Sequence, residues 1–93
     1  MPDYYPISKI IGKKITHYRK MKGISLTELA KVTGVSEQQQ SRYERGINRI
    51  NLSRLYLYAN FFNINIHVFF QLNEYEISEI NVKEHRTLKN TSF

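Results

Sequence analysis

The stretch from Ser25 to Gly46, SLTELAKVTGVSEQQQSRYERG, carries so many helix start and stop signals that few backbone paths are open to it. Ser25 can accept an orphan backbone N–H at a helix start, and Glu28 three residues on completes a Ser-x-x-Glu capping box. Helix then runs through Leu26, Leu29, Ala30 and Lys31. At Gly34 a chain leaving a helix needs a left-handed residue, and glycine has no Cβ to clash there. Ser36 can cap the next helix, and Val35 before it is placed to pack between the two. The second helix is led by Glu37, Gln38, Gln39 and Gln40, polar side chains for which a packed core has no use.

Through Leu29, Ala30, Gly34, Val35, Ser36 and the run Ser41, Arg42, Tyr43, Glu44, Arg45, Gly46, the segment resembles the helix-turn-helix of the lambda-repressor and Cro-like (XRE-type) DNA-binding family. The resemblance extends from about Ile10 to Phe70, most of the chain. It implies an all-α, five-helix lambda-repressor-like DNA-binding domain with a short N-terminal arm and a C-terminal tail. The divisions expected are an arm over 1–8, a helix-turn-helix domain over 9–72 and a tail over 73–93. The three glutamines before SRYERG and INRI are also similar, more weakly, to bacterial fimbrial-operon transcriptional regulators.

An α-helix fits the major groove, where each base pair shows its own donors and acceptors. Gln38 and Gln39 can each present an amide to adenine, and Arg42, one turn further on, can fork onto guanine. Glu37 is better placed as a helix-start acid favoured by the macrodipole. Candidates for phosphate contact, which positions rather than specifies, are Ser25, Thr27, Ser36, Ser41, Arg45, Asn48 and Arg49, with Lys13 and Lys14 weaker. The resemblance pairs Arg19 with Glu44 as a structural ion pair locking the recognition helix to the first helix. Two departures from the family stand out. Leu26 occupies a place often held by a phosphate-bridging glutamine, and Gln40 one usually held by a buried branched apolar residue. A buried amide costs free energy unless paired, so local loosening, partial exposure and weakened folding are all open.

Elsewhere the chain is read from periodicity. MPDYYPIS carries two prolines and no helical period, so an irregular arm is expected, with Tyr4, Tyr5 and Ile7 available to lie on the core or a partner. From Lys9 to Lys22, Ile11, Ile15, Tyr18 and Met21 recur at spacings of four and three, one buried helical stripe. Leu26, Leu29, Val32, Val35 and Tyr43 are expected inside. Asn51 can cap a fourth helix with Leu52, Leu55, Ala59 and Phe62 inward, leaving Tyr56, Tyr58 and Phe61 off the stripe. Asn65 can cap a short fifth helix through Phe70. In the tail, Tyr75, Ile77, Ile80 and Val82 fit neither period, so helix and strand are both open, and the last ten residues are expected to be flexible.

Charge is distributed in the same sense. Lys9 to Arg54 holds eleven Lys and Arg against three acids, whereas 71–93 holds three bases against four acids. The basic excess coincides with the segment that would meet phosphates. The absence of cysteine excludes disulfides and thiolate zinc sites. No apolar run approaches a transmembrane length, and His17, His67 and His85 have no metal-ligand spacing. Neither a catalytic set nor a cofactor motif is visible, so no enzyme and no cofactor are expected. The expectation is a bacterial, cytoplasmic regulator of transcription that binds double-stranded DNA as a homodimer on an inverted repeat. The rival is an antitoxin whose tail binds a toxin or other regulatory protein while its helix-turn-helix represses its own operon.

Overall fold

The computed structural model describes residues 6–89, with side chains as far as residue 81. Its elements are α1 (Pro6–Met21), α2 (Leu26–Thr33), α3 (Glu37–Arg45), α4 (Leu52–Phe62), a 3₁₀ helix (Ile66–Phe70) and α5 (Glu74–Lys89). There is no strand among the described residues. α1 is the central strut: α3, α4, the 3₁₀ helix and α5 all pack on it, while α2 packs on α3.

Local chemistry sets each boundary. Residues 6–8 belong to α1 rather than to an irregular arm, because Pro6 sits in the first turn, where its missing N–H has no partner to lose. Tyr4 and Tyr5 lie outside the described residues. Asn51 caps α4 by accepting from the Arg54 N–H, and Asn65 caps the 3₁₀ helix by accepting from the His67 N–H. The tail is helical, opened by a reciprocal pair in which Asn73 Oδ1 accepts from the Glu76 N–H and Glu76 Oε1 from the Asn73 N–H. α5 carries residues 84–89, expected to be flexible, within its span, and residues 90–93 lie outside the described chain.

The core joins Ile11 and Ile15 of α1, Leu29 of α2, Leu55, Tyr58, Ala59 and Phe62 of α4, and Phe69 of the 3₁₀ helix. Of the other residues expected inside, Tyr18 packs against this cluster, Leu26, Val35 and Tyr43 are half-buried, and three are exposed. Met21, the last residue of α1, is exposed at the rim of an open groove shared with Phe62 and Ile64. Val32 is exposed because the α2 stripe continues through Ala30 and Thr33, whose hydroxyl is satisfied by the Leu29 carbonyl at 2.9 Å. Leu52, at the first position of α4, is exposed. The inward line of that helix runs instead through Leu55, Tyr58, Ala59 and Phe62, so Tyr58 is fully buried. Outside this cluster Ile10 and Ile80 are buried on α1 and α5, which pack together.

α1 and α3 cross with almost no space between backbones. A Cβ at Gly12 would stand 2.5 Å from the Tyr43 carbonyl oxygen and 2.6 Å from that of Glu44. These are backbone atoms that cannot rotate away. Gly12→Ala should therefore destabilise by about 3 kcal/mol in urea titration, outweighing alanine's better helix propensity of about 1 kcal/mol. A loss below about 1 kcal/mol would mean that the two helices do not meet here.

Candidate nucleic-acid interface

Two capped helices frame the candidate interface. Ser25 Oγ accepts from the Glu28 N–H at 3.0 Å and Glu28 Oε1 accepts from the Ser25 N–H at 2.8 Å. The Ser25 backbone N–H first, and then its hydroxyl, hold the Glu28 carboxyl below its ordinary pKa. α2 ends at Gly34 in a left-handed conformation, with its N–H on the carbonyls of Ala30 and Lys31. Two residues on, Ser36 Oγ accepts from the Gln39 N–H at 3.0 Å and starts α3. Ser36 uses only a hydroxyl lone pair in its cap, so its O–H proton is still able to donate to a phosphate, whereas the Ser25 hydroxyl also faces the Glu28 carboxylate.

The inner face of α3 buries Gln40 and Glu44, one turn apart. The glutamate accepts from Arg19 Nε at 2.9 Å and Nη2 at 3.1 Å, from Thr16 Oγ1 at 3.0 Å and from Gln40 Nε2 at 3.0 Å. Arg19 spends its remaining terminal nitrogen on the Ile24 carbonyl at 3.0 Å, tying the α1–α2 turn into the same network. Gln40 is neither exposed nor loosened: its relative exposure is 0%, and the Tyr58 hydroxyl of α4 donates to its Oε1 at 2.6 Å. Both ends of the amide are thereby engaged, which fixes its orientation. Burial pushes the Tyr58 hydroxyl above its ordinary pKa, against the opposing pull of the Arg54 guanidinium and Gln40, so it stays a donor.

Helical geometry puts Gln38, Arg42 and Arg45 opposite that inner face, at i, i+4 and i+7. Gln38, Arg45, Arg49, Thr27, Ser25 and Ser36 are exposed; Gln39, Ser41, Arg42 and Asn48 are half-buried. Arg45 Nε donates to Ser41 Oγ at 3.2 Å, so these two candidates share one patch. Asn48 and Arg49 lie on the loop between α3 and α4. Lys14 is not part of this surface. Its Nζ donates to the carbonyls of Val68, at 3.2 Å, and Gln71, which fastens the 3₁₀ helix to α1. Lys13 lines a groove between α1 and α5 with Glu76 and Glu79.

Periodicity overlooked Tyr58 and Arg54. The signal for Tyr58 was the polar residue at the inward position 40, which required a donor or acceptor from a neighbouring helix. Arg54 donates Nη2 to the Thr33 carbonyl at 2.9 Å, holding α4 on the end of α2. Its guanidinium lies over the rings of Tyr43 and Tyr58 at 5.4 and 5.8 Å, and its Nη1 is buried without a hydrogen-bond partner. The ring contacts offset part of that loss. Among the described residues no cluster of His, Asp or Glu could hold a metal, and no helix is long and apolar enough to cross a membrane.

A capped helix pair whose second member is bolted inward by charge and polar outward is the architecture of a helix-turn-helix unit. The chain belongs to the helix-turn-helix family of the Cro/C1 type, whose model matches residues 15–69. It is 46% identical over 65 residues to an uncharacterised helix-turn-helix-type transcriptional regulator of Rickettsia conorii, covering 70% of this chain and 52% of that one. A similarly described regulator of Sinorhizobium medicae is 35% identical over 66 residues, covering 71% and 48%. The chain thus spans about half the length of the curated relatives it matches. In fold it is similar to the clp gene regulator ClgR of Corynebacterium glutamicum, with a TM-score of 0.67 at 18% identity over 97% of this chain and 92% of that one.

Proposed function

We propose that the protein is a sequence-specific transcriptional regulator that binds promoter DNA through α3 in the major groove, as a homodimer on an inverted repeat, and represses by occupying the site. The observation that carries this is the outward face of α3, where Gln38 and Arg42 stand one turn apart opposite a fully satisfied inner face. Gln38, Gln39 and Arg42 read bases; Ser25, Thr27, Ser36, Ser41, Arg45, Asn48 and Arg49 meet phosphates. A single domain reads few base pairs, and two-fold pairing sets recognition helices about 34 Å apart. The DNA-binding unit over 9–72 is followed by a dimerisation or partner-binding tail over 73–93, in a bacterial cytoplasmic protein. Exposed Tyr75 and Ile77 on α5 support such a tail, and they also keep a second reading alive in which a toxin binds there.

Selection of binding sites from random duplex DNA tests the proposal. An inverted repeat should be recovered, and Arg42→Ala should lower the preference for it by about 1 to 3 kcal/mol at one position per half-site. Failure to enrich any sequence would move the toxin-binding reading first, to be tested by co-purification from the native operon.

A further inference from the structure

We propose that Gln40 and Tyr58 form a polar latch that sets the rotation of α3 about its own axis, and through it the sequence selectivity of the Gln38–Arg42 face; the selectivity part rests on the DNA-binding function proposed above. α3 reads EQQQSRYER, and its two buried side chains, Gln40 and Glu44, are both polar. Tyr43, its one aromatic residue, is half-buried. Burial of apolar area is non-directional and lets a helix roll on its neighbours. Hydrogen bonds are lost within tens of degrees of misalignment.

The helix is held at two heights. Glu44 anchors its C-terminal turn to α1 through Arg19 and Thr16. One turn nearer the N-terminus, Gln40 anchors it to α4 through the Tyr58 hydroxyl and to Glu44 through its amide nitrogen. The three side chains that would read bases flank Gln40 at positions 38, 39 and 42. Without the upper anchor, α3 keeps its lower one and gains freedom where alignment with base edges matters most. Tyr58 and Gln40 are positioning residues, acting on DNA only through that alignment.

The test compares the full chain with Tyr58→Phe and the double variant Gln40→Leu/Tyr58→Phe. Each is titrated with the selected operator and with random duplex at a temperature where circular dichroism shows it folded. Tyr58→Phe strands Gln40 Oε1 and lowers the denaturation midpoint. The double variant removes both ends of the Gln40–Tyr58 bond and recovers most of that midpoint, because Glu44 keeps its bonds to Arg19 and Thr16 when it loses the Gln40 amide. Selectivity, the ratio of operator to random-duplex affinity, is expected to fall about tenfold in both variants, because apolar repacking loses uniqueness before stability. Recovery of the ratio together with the midpoint in the double variant would reduce the pair to packing and overturn the selectivity role. Amide hydrogen exchange without DNA decides the latch independently. Faster exchange confined to α3 in Tyr58→Phe supports it, and equal acceleration throughout the domain overturns it. A wild-type chain with no preferred duplex overturns the proposed function and the selectivity role, while the exchange result still judges the latch.

Discussion

Glu44→Ala is expected to cost about 4 kcal/mol of folding free energy, because it removes the acceptor common to four hydrogen bonds and leaves Arg19 charged in a site it cannot leave. The Arg19 and Glu44 side chains are only 12% and 6% exposed, so solvent screening takes little from the figure. Gln40 loses its amide partner as well, and α3 then has no charged tie to α1. For a domain of this size the melting temperature should fall by roughly 20 °C. Removing both ions tests the mechanism: Arg19→Ala/Glu44→Ala should be clearly milder than the sum of the single changes, since no lone ion is left buried. Additive losses in denaturant titration, or a single-variant loss under about 1 kcal/mol, would show that the network does not bind α3 to α1.

The same network marks what the sequence could and could not convey. Caps are local, so Ser25 with Glu28, Ser36, Asn51, Asn65 and the turn at Gly34 were legible from a few consecutive residues. Burial is not local. Four-and-three spacing identifies a stripe on a helix but not how far neighbours cover it, which is why Met21, Val32 and Leu52 are exposed although they extend real stripes. Tyr58 fell off a stripe drawn from Leu52 and belongs to one drawn from Leu55. Gln40 could not be resolved alone, because its partner is 18 residues away on another helix. Gly12 had a visible signal, a glycine inside a helical pattern, but its cause, the carbonyls of Tyr43 and Glu44, belongs to the helix crossing. Lys14 shows the converse: a lysine on a basic helix suggests phosphate, and its ammonium is spent on two carbonyls at the end of the 3₁₀ helix.

These placements separate two kinds of basic residue that charge counting treats alike. Arg19, Arg54 and Lys14 are consumed in holding helices together. Arg42, Arg45 and Arg49 belong to α3 or the loop after it. The count of fourteen Lys and Arg therefore overstates the cations placed to contact a polyanion, and removing a basic residue has a different signature according to where it sits.

Arg49→Ala should accordingly weaken binding to every duplex while leaving the operator preference unchanged. In the proposed dimer, with Arg45 and Arg49 of each protomer placed on phosphates, about four charges would be neutralised, and the slope of log affinity against log salt would be about −3.6. Raising salt fourfold would cost on the order of 150-fold in affinity. Arg49→Ala removes two of those charges from the dimer and should bring the slope to about −1.8. Lys14→Met serves as the control, because an ammonium already engaged by Val68 and Gln71 releases no counterions from DNA; its slope should match the wild type even if stability falls. A slope unmoved by Arg49→Ala would take the α3–α4 loop off the DNA backbone. A slope lowered equally by Lys14→Met would mean that α1 faces the phosphates as well as the loop.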